Sequence, residues 1–209
     1  MISRQTNYLK GAITKMKRLF ASVISCVLIL SLICSGLTVF ATTITGAVDT
    51  DNFVRGVDVS TLDMLEDLGA RFYQNNVESD ALTILKNNGA NYVRLKLWVD
   101  PYDENGNPYG GGNNDYATTL ALARRAKNLG MGVLIDFHLS DFWTDPANQI
   151  KPKAWKDLSY SELKTTLYNY MKDTLNNFAA AGIVPEMVQV GNEISTGILH
   201  DDGKVGNGN

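Results

Sequence analysis

Cysteine is nearly missing from this chain of 209 residues. It has only Cys26 and Cys34, both close to the start. Beyond residue 34 there is no disulfide, thiolate nucleophile or thiolate ligand to consider. Histidine is equally scarce. His138 and His200 stand 62 residues apart without a cysteine between or beyond them, which argues against a structural zinc site. No other metal or cofactor is implied. Positive charge is in short supply too, with 19 Lys and Arg against 22 Asp and Glu. No repeat or low-complexity tract interrupts the sequence.

The charge imbalance sharpens once the N-terminus is set aside. Met1 to Arg18 carries Arg4, Lys10, Lys15, Lys17 and Arg18 and no acid. Leu19 to Phe40 is uncharged and almost wholly apolar or small, and Val39-Phe40-Ala41 offers a small-x-small cleavage site. A basic, then apolar, then small-residue order predicts a secretory signal peptide over residues 1–41. An uncleaved anchor is the alternative, since about 20 apolar residues can span a bilayer. A lipoprotein reading at Cys26 is weaker, because the longest apolar run follows it. Residues 42–52 read as a short linker. Residues 42–209 keep 14 basic and all 22 acidic residues, a net charge of −8. So acidic an exported chain does not suit nucleic acid or an anionic membrane surface. The expectation is a secreted protein with no membrane contact after cleavage.

From residue 53 a strand-then-helix rhythm sets in. Strands are predicted at 53–60, 92–99, 132–138 and 187–193, and helices at 80–88, 115–128 and 159–181. Gly89, Gly130 and Gly182 stand as stops. This alternation predicts α/β architecture built of parallel βαβ units. Within the strands, Val57, Val59, Val93, Leu95, Leu97, Val99, Val133, Ile135, Phe137, Val188 and Val190 fall on one face. Asp58, Ser60, Arg94, Lys96, Trp98, Asp136, His138, Gln189 and Glu193 fall on the other. A polar interior is costly unless its charges are paired or solvated, so charges kept there suggest a site. An antiparallel sheet with one wet face would share the pattern, but the intervening helices oppose it. A doubly wound sheet would want a glycine-rich phosphate turn after its first strand, and Ser60-Thr61-Leu62-Asp63 is not one. The expected fold is a (β/α)8 TIM barrel, with about its first four βα units present.

In such a barrel the C-terminal strand ends face the active site. Gly191-Asn192-Glu193 ends the apolar run 187–190 and puts a carboxylate there. Glycoside hydrolysis needs one carboxyl protonated at rest and a second left ionised. Glu193 is the candidate acid, and the apolar strand before it is expected to bury it. Asn192 beside it can hydrogen-bond a sugar hydroxyl. Arg94 could keep a second carboxylate ionised, or could simply pair with Asp58 or Asp136. His138 could donate to a substrate hydroxyl or orient a carboxylate. Trp98, Trp143 and Trp155 follow strands, and exposed indoles on that face would make platforms for sugar rings.

The loop at 100–112 invites a calcium reading, because Asp103-x-Asn105-x-Asn107 has the opening spacing of an EF-hand. Pro108 then stands where that loop needs glycine, and Asn114 where it needs glutamate, so the reading fails.

Five motifs taken together resemble the family 53 glycoside hydrolases, the arabinogalactan endo-β-1,4-galactanases. They are Arg55-Gly56-Val57-Asp58-Val59-Ser60, residues 91–101 (NYVRLKLWVDP), residues 136–146 (DFHLSDFWTDP), Lys151-Pro152-x-Ala154-Trp155, and residues 189–194 (QVGNEI). The match runs from about Val54 to Ile198. The resemblance implies a retaining barrel enzyme that cuts internal β-1,4-galactosyl bonds in the galactan side chains of pectin. The family's acid/base glutamate falls on Glu193, its strand-2 arginine on Arg94 and its strand-3 histidine on His138. Asp58, Trp98, Trp143 and Asn192 complete the expected substrate-binding set. Leu139 stands where tyrosine is expected and Thr144 where alanine is usual. The family nucleophile, a glutamate ending strand 7, has no counterpart here. Residues 53–209 are therefore expected to be an N-terminal half, inactive alone. Two other readings remain: a related mannanase or cellulase, or a fragment that binds galactan without chemistry.

Overall fold

The computed structural model describes residues 53–206, so the expected signal peptide and linker at 1–52 lie outside the described residues. Val54 onward forms one compact unit. Strand β1 (Gly56–Asp58) leads to helix α1 (Leu62–Asp67) and a hairpin of β2 (Tyr73–Gln74) and β3 (Val77–Glu78). Helix α2 (Ala81–Asn87), strand β4 (Tyr92–Leu97), helix α3 (Tyr116–Asn128), strand β5 (Gly132–Phe137), helix α4 (Tyr160–Ala180) and strand β6 (Met187–Val190) then alternate. A small hairpin of β7 (Gly197–Ile198) and β8 (Gly203–Lys204) follows.

The four long-range strands form one parallel sheet in the order β1-β4-β5-β6. The fold is the expected α/β one, with four successive parallel strands separated by helices, and the antiparallel alternative is excluded. Strand ends are shorter than predicted. The first stops at Asp58 and the last at Val190, because Val59 to Ser60 and Gly191 to Glu193 already turn out of the sheet. Helix α1 and the β2–β3 hairpin were not predicted. The hairpin had a readable signal, since Asn75 and Asn76 both adopt positive φ (53° and 64°) in its two-residue turn.

Helix starts are set by side chains that satisfy free backbone N–H groups. Asp80 accepts from the Thr83 amide at 2.8 Å and Asp115 from the Thr118 amide at 2.8 Å. Ser159 and Glu162 form a reciprocal capping box at the start of α4. Gly130 and Gly182 end α3 and α4 with φ of 67° and 78°, where a side chain would be strained.

The apolar face of the sheet is buried under the helices. Val93, Leu95, Leu97, Val133, Ile135 and Phe137 pack with Leu122, Ala123, Ala126 and Phe178 in one core. Strand β6 differs from expectation. It lies at the sheet edge, and its outward Val188 and Val190 are 39% and 49% exposed. The apolar run at 187–190 therefore does not bury the segment that carries Glu193.

Candidate active site

All four strands are parallel, so their C-terminal ends share one side of the sheet. The register then sets the site. Asp58 stands beside Arg94 in one row; Lys96, Asp136 and Gln189 stand side by side in the next. A long arginine can reach both rows.

Arg94 is the hub. Its Nη1 donates to Asp58 Oδ2 at 2.5 Å, and its Nη2 to Asp136 Oδ2 at 2.6 Å and Asn192 Oδ1 at 2.8 Å. Nε reaches Gln189 Oε1 at 3.3 Å. One planar guanidinium thus ties together residues from β1, β4, β5, β6 and the turn beyond β6. A lysine could not serve as many acceptors at fixed angles. Lys96 supplies the second cation, with Nζ 2.8 Å from Asp58 Oδ2 and 4.6 Å from the centre of the Trp143 ring. The Asp58 carboxyl is pushed up by partial burial. The Lys96 ammonium, the hydroxyl and amide of Ser60, and Arg94 outweigh that and hold it at about 2.

Asp136 and His138 are wholly enclosed. His138 Nε2 sits 3.0 Å from Asp136 Oδ2, near enough for attraction but not aligned as a hydrogen bond. On its other side, the Thr144 amide donates to His138 Nδ1 at 3.2 Å, and the Thr144 hydroxyl lies 3.1 Å from the same nitrogen. Asn192 Nδ2 donates to the Thr144 carbonyl at 2.6 Å, and Gln149 Nε2 donates to the Asn192 carbonyl at 2.7 Å. Asn192 is buried, with its amide engaged on both sides. It links Arg94 to Thr144.

The tryptophans divide. Trp143 is 43% exposed and suits a platform. Trp98 is fully buried beneath it, with ring centres 5.9 Å apart, and also packs on Phe142 and His138. Trp155 is buried against Tyr170 on the helix side of the sheet. The expectation of three exposed indoles is therefore corrected to one, because the chain following each strand folds back over the other two. Tyr109 and Phe142 join Trp143 around a groove of about 590 Å³, with Asp141, Asp145 and Lys153 on its walls.

Glu193 follows Asn192 directly. It is exposed and adopts the left-handed conformation, with φ 54° and ψ 44°. Among the described residues no side chain pairs with its carboxylate. Leu139, just beyond β5, shares this rare backbone state with φ 56°. Such non-glycine residues cost on the order of 1 kcal/mol or more each, and they cluster at sites. Sequence reasoning placed Lys96, Asp136 and Gln189 on the inner face, named Asp136 only as a possible partner of Arg94, and gave Lys96 and Gln189 no part in the site. Gln149 it missed, since a loop residue carries no periodic signal.

A family profile described as Glycosyl hydrolase family 53 matches residues 54–209. The chain belongs to this family. It is 49% identical over 147 residues to an endo-beta-1,4-galactanase of Bacillus subtilis, covering 70% of this chain and 34% of that protein. To the arabinogalactan endo-beta-1,4-galactanase A of Aspergillus niger it is 42% identical over 154 residues, covering 73% and 42%. Among solved structures it resembles the family 53 catalytic domain of Ignisphaera aggregans, with a TM-score of 0.71, 52% identity and coverage of 73% and 42%. The chain thus spans well under half the length of these family 53 relatives.

Proposed function

We propose that residues 53–209 are the acid/base-bearing part of a secreted, endo-acting, retaining β-1,4-galactanase. Substrate galactan crosses the C-terminal strand ends. Glu193 protonates the leaving glycosidic oxygen. It then takes a proton from the water that hydrolyses a galactosyl ester on a second carboxylate. Asp58, Arg94, Trp98, His138, Trp143 and Asn192 form the supporting set, with Trp143 as the sugar platform. Residues 1–41 direct export. The observation that carries the reading is the position of Glu193. It is a carboxylate free of cations, directly joined to Asn192, which Arg94 and Thr144 fix from two sides.

The exposed Tyr109–Phe142–Trp143 groove also supports a sugar-binding reading without chemistry. One experiment separates the two. The chain is joined to the remaining length of the Bacillus subtilis relative, and reducing ends are assayed on galactan, mannan and cellulose. Turnover is expected on galactan. Glu193→Gln should lower it about 10²- to 10⁴-fold, the range for a lost general acid, while galactan binding persists. Full turnover by the Gln variant would refute the assignment. Preference for mannan or cellulose would move the substrate class.

A further inference from the structure

Thr144 touches more of the inner site than its size suggests. It is buried, comes from the loop beyond β5, and meets both His138 and Asn192, the residue bonded to the expected acid. Its amide N–H points at His138 Nδ1. Its hydroxyl lies within reach of that nitrogen and of the Asn192 carbonyl, at 3.1 and 3.5 Å. Its carbonyl accepts from Asn192 Nδ2.

These contacts fix proton positions. A ring nitrogen that accepts from a backbone N–H carries no proton of its own. The proton of neutral His138 must then sit on Nε2. The other side of the ring agrees, since Nε2 lies 3.0 Å from the Asp136 Oδ2 carboxylate oxygen, where a positive N–H is electrostatically preferred to a lone pair. The same logic orients Asn192. Its nitrogen is spent on the Thr144 carbonyl, so its oxygen faces the Arg94 guanidinium. The groups around His138 are Asp136, with Arg94 behind it, and the edges of Trp98 and Trp143. Among the described residues only Thr144 hydrogen-bonds Nδ1.

We propose that Thr144 is a positioning residue that locks His138 as its neutral Nε2–H tautomer and fixes the Asn192 amide against Arg94. This deepens the galactanase reading by naming how its histidine is presented. It can be tested without turnover, so its failure is distinguishable from failure of that reading.

The chain has only two histidines, and His200 serves as the internal reference. The full chain is labelled with ¹⁵N-histidine and its imidazole nitrogens are observed by NMR at mildly alkaline pH. His138 should show a proton-bearing Nε2 and a bare, hydrogen-bonded Nδ1. Thr144→Ser should keep that signature. Thr144→Val lacks the hydroxyl but keeps the backbone N–H, so it should move the Nδ1 resonance only part-way toward the free-acceptor value, keep the proton on Nε2 and leave His200 unmoved. A protonated Nδ1 in the unmodified chain, as either the other tautomer or the imidazolium, overturns the proposal. So does a protonated Nδ1 in a folded Thr144→Val chain, which keeps the backbone donor. Should that variant not fold, the unmodified chain alone still decides the tautomer.

Discussion

Replacing Arg94 by methionine should destabilise the chain far more than a surface ion pair would suggest. Asp136 is fully buried, and among the described residues its only Lys or Arg partner at bonding distance is Arg94 Nη2 at 2.6 Å. Its second oxygen makes no hydrogen bond among the described residues. Taking away one partner of a buried pair leaves an uncompensated charge and costs about 3–5 kcal/mol. Asp58 loses less. It is a third exposed and keeps Lys96 and Ser60, so its share is under about 1 kcal/mol. The Asn192 and Gln189 oxygens each lose a donor, worth about 1 kcal/mol for a buried amide. Methionine restores part of the lost packing. The expected net loss is about 4 kcal/mol.

The buried charge, not the missing side chain, should dominate that figure. Arg94→Met combined with Asp136→Leu removes the orphan and should recover about 2 kcal/mol relative to the single change. Asp136→Leu alone should be mild, about 1–2 kcal/mol, because Arg94 is partly exposed and keeps Asp58. Urea unfolding followed by tryptophan fluorescence measures all four corners of this cycle, since three indoles lie in the fold. A single-variant cost below about 1 kcal/mol, or a double variant no better than Arg94→Met, would refute the reasoning.

Acid stability should depend on Asp58. Its carboxyl is held at about 2 against 3.8 unfolded, so the stability it adds is complete above about pH 4 and is lost as pH falls toward 2. The shift alone is worth roughly 2.4 kcal/mol, and partial exposure reduces this to about 1. Asp58→Asn should flatten the acid limb of a stability–pH curve by that amount, and an unchanged limb would contradict the pairing. Phe178→Ala should cost about 3–5 kcal/mol in the same urea assay, since the ring is fully buried and meets Tyr116 edge-on at 4.9 Å. Ser159→Ala should cost only about 1 kcal/mol, the value of one helix cap. A Ser159 effect as large as that of Phe178 would show that α4 is held by its end and not by its packing.

What could be read from the sequence was whatever repeats at a fixed spacing. Val93, Leu95 and Leu97 alternate with Arg94, Lys96 and Trp98, which set the strand and the face that would hold charge, while the helices between strands set the parallel sense. Partners within the face were harder. Arg94 was equally consistent with Asp58 and Asp136, and it binds both, because the parallel register puts Asp58 in its own row and Asp136 one row above. Burial was misread where it depends on neighbours in space. Trp98 was expected at the surface and is covered by Phe142 and Trp143, whereas β6 was expected inside and stands at an edge. Thr144 and Gln149 lie in a loop whose course no periodicity encodes. Their hydrogen bonds to His138 and Asn192 became visible only with the fold.

The inner face also sorts its carboxylates. Asp58 is held by two cations and Asp136 by one, while Glu193 stands at the end of the same row of strand tips with none. A carboxylate locked against a guanidinium stays charged and cannot lend a proton. Asp58, held at about 2, is therefore unsuited to acid catalysis, and Asp136 is spent on Arg94. Their service is to keep Arg94 rigid, and Arg94 in turn holds Asn192, the residue bonded to Glu193. Proton transfer demands a carboxyl whose position is fixed while its charge is free to change. Under the proposed acid role that carboxyl is Glu193, whose backbone neighbour Asn192 is held by Arg94 and Thr144.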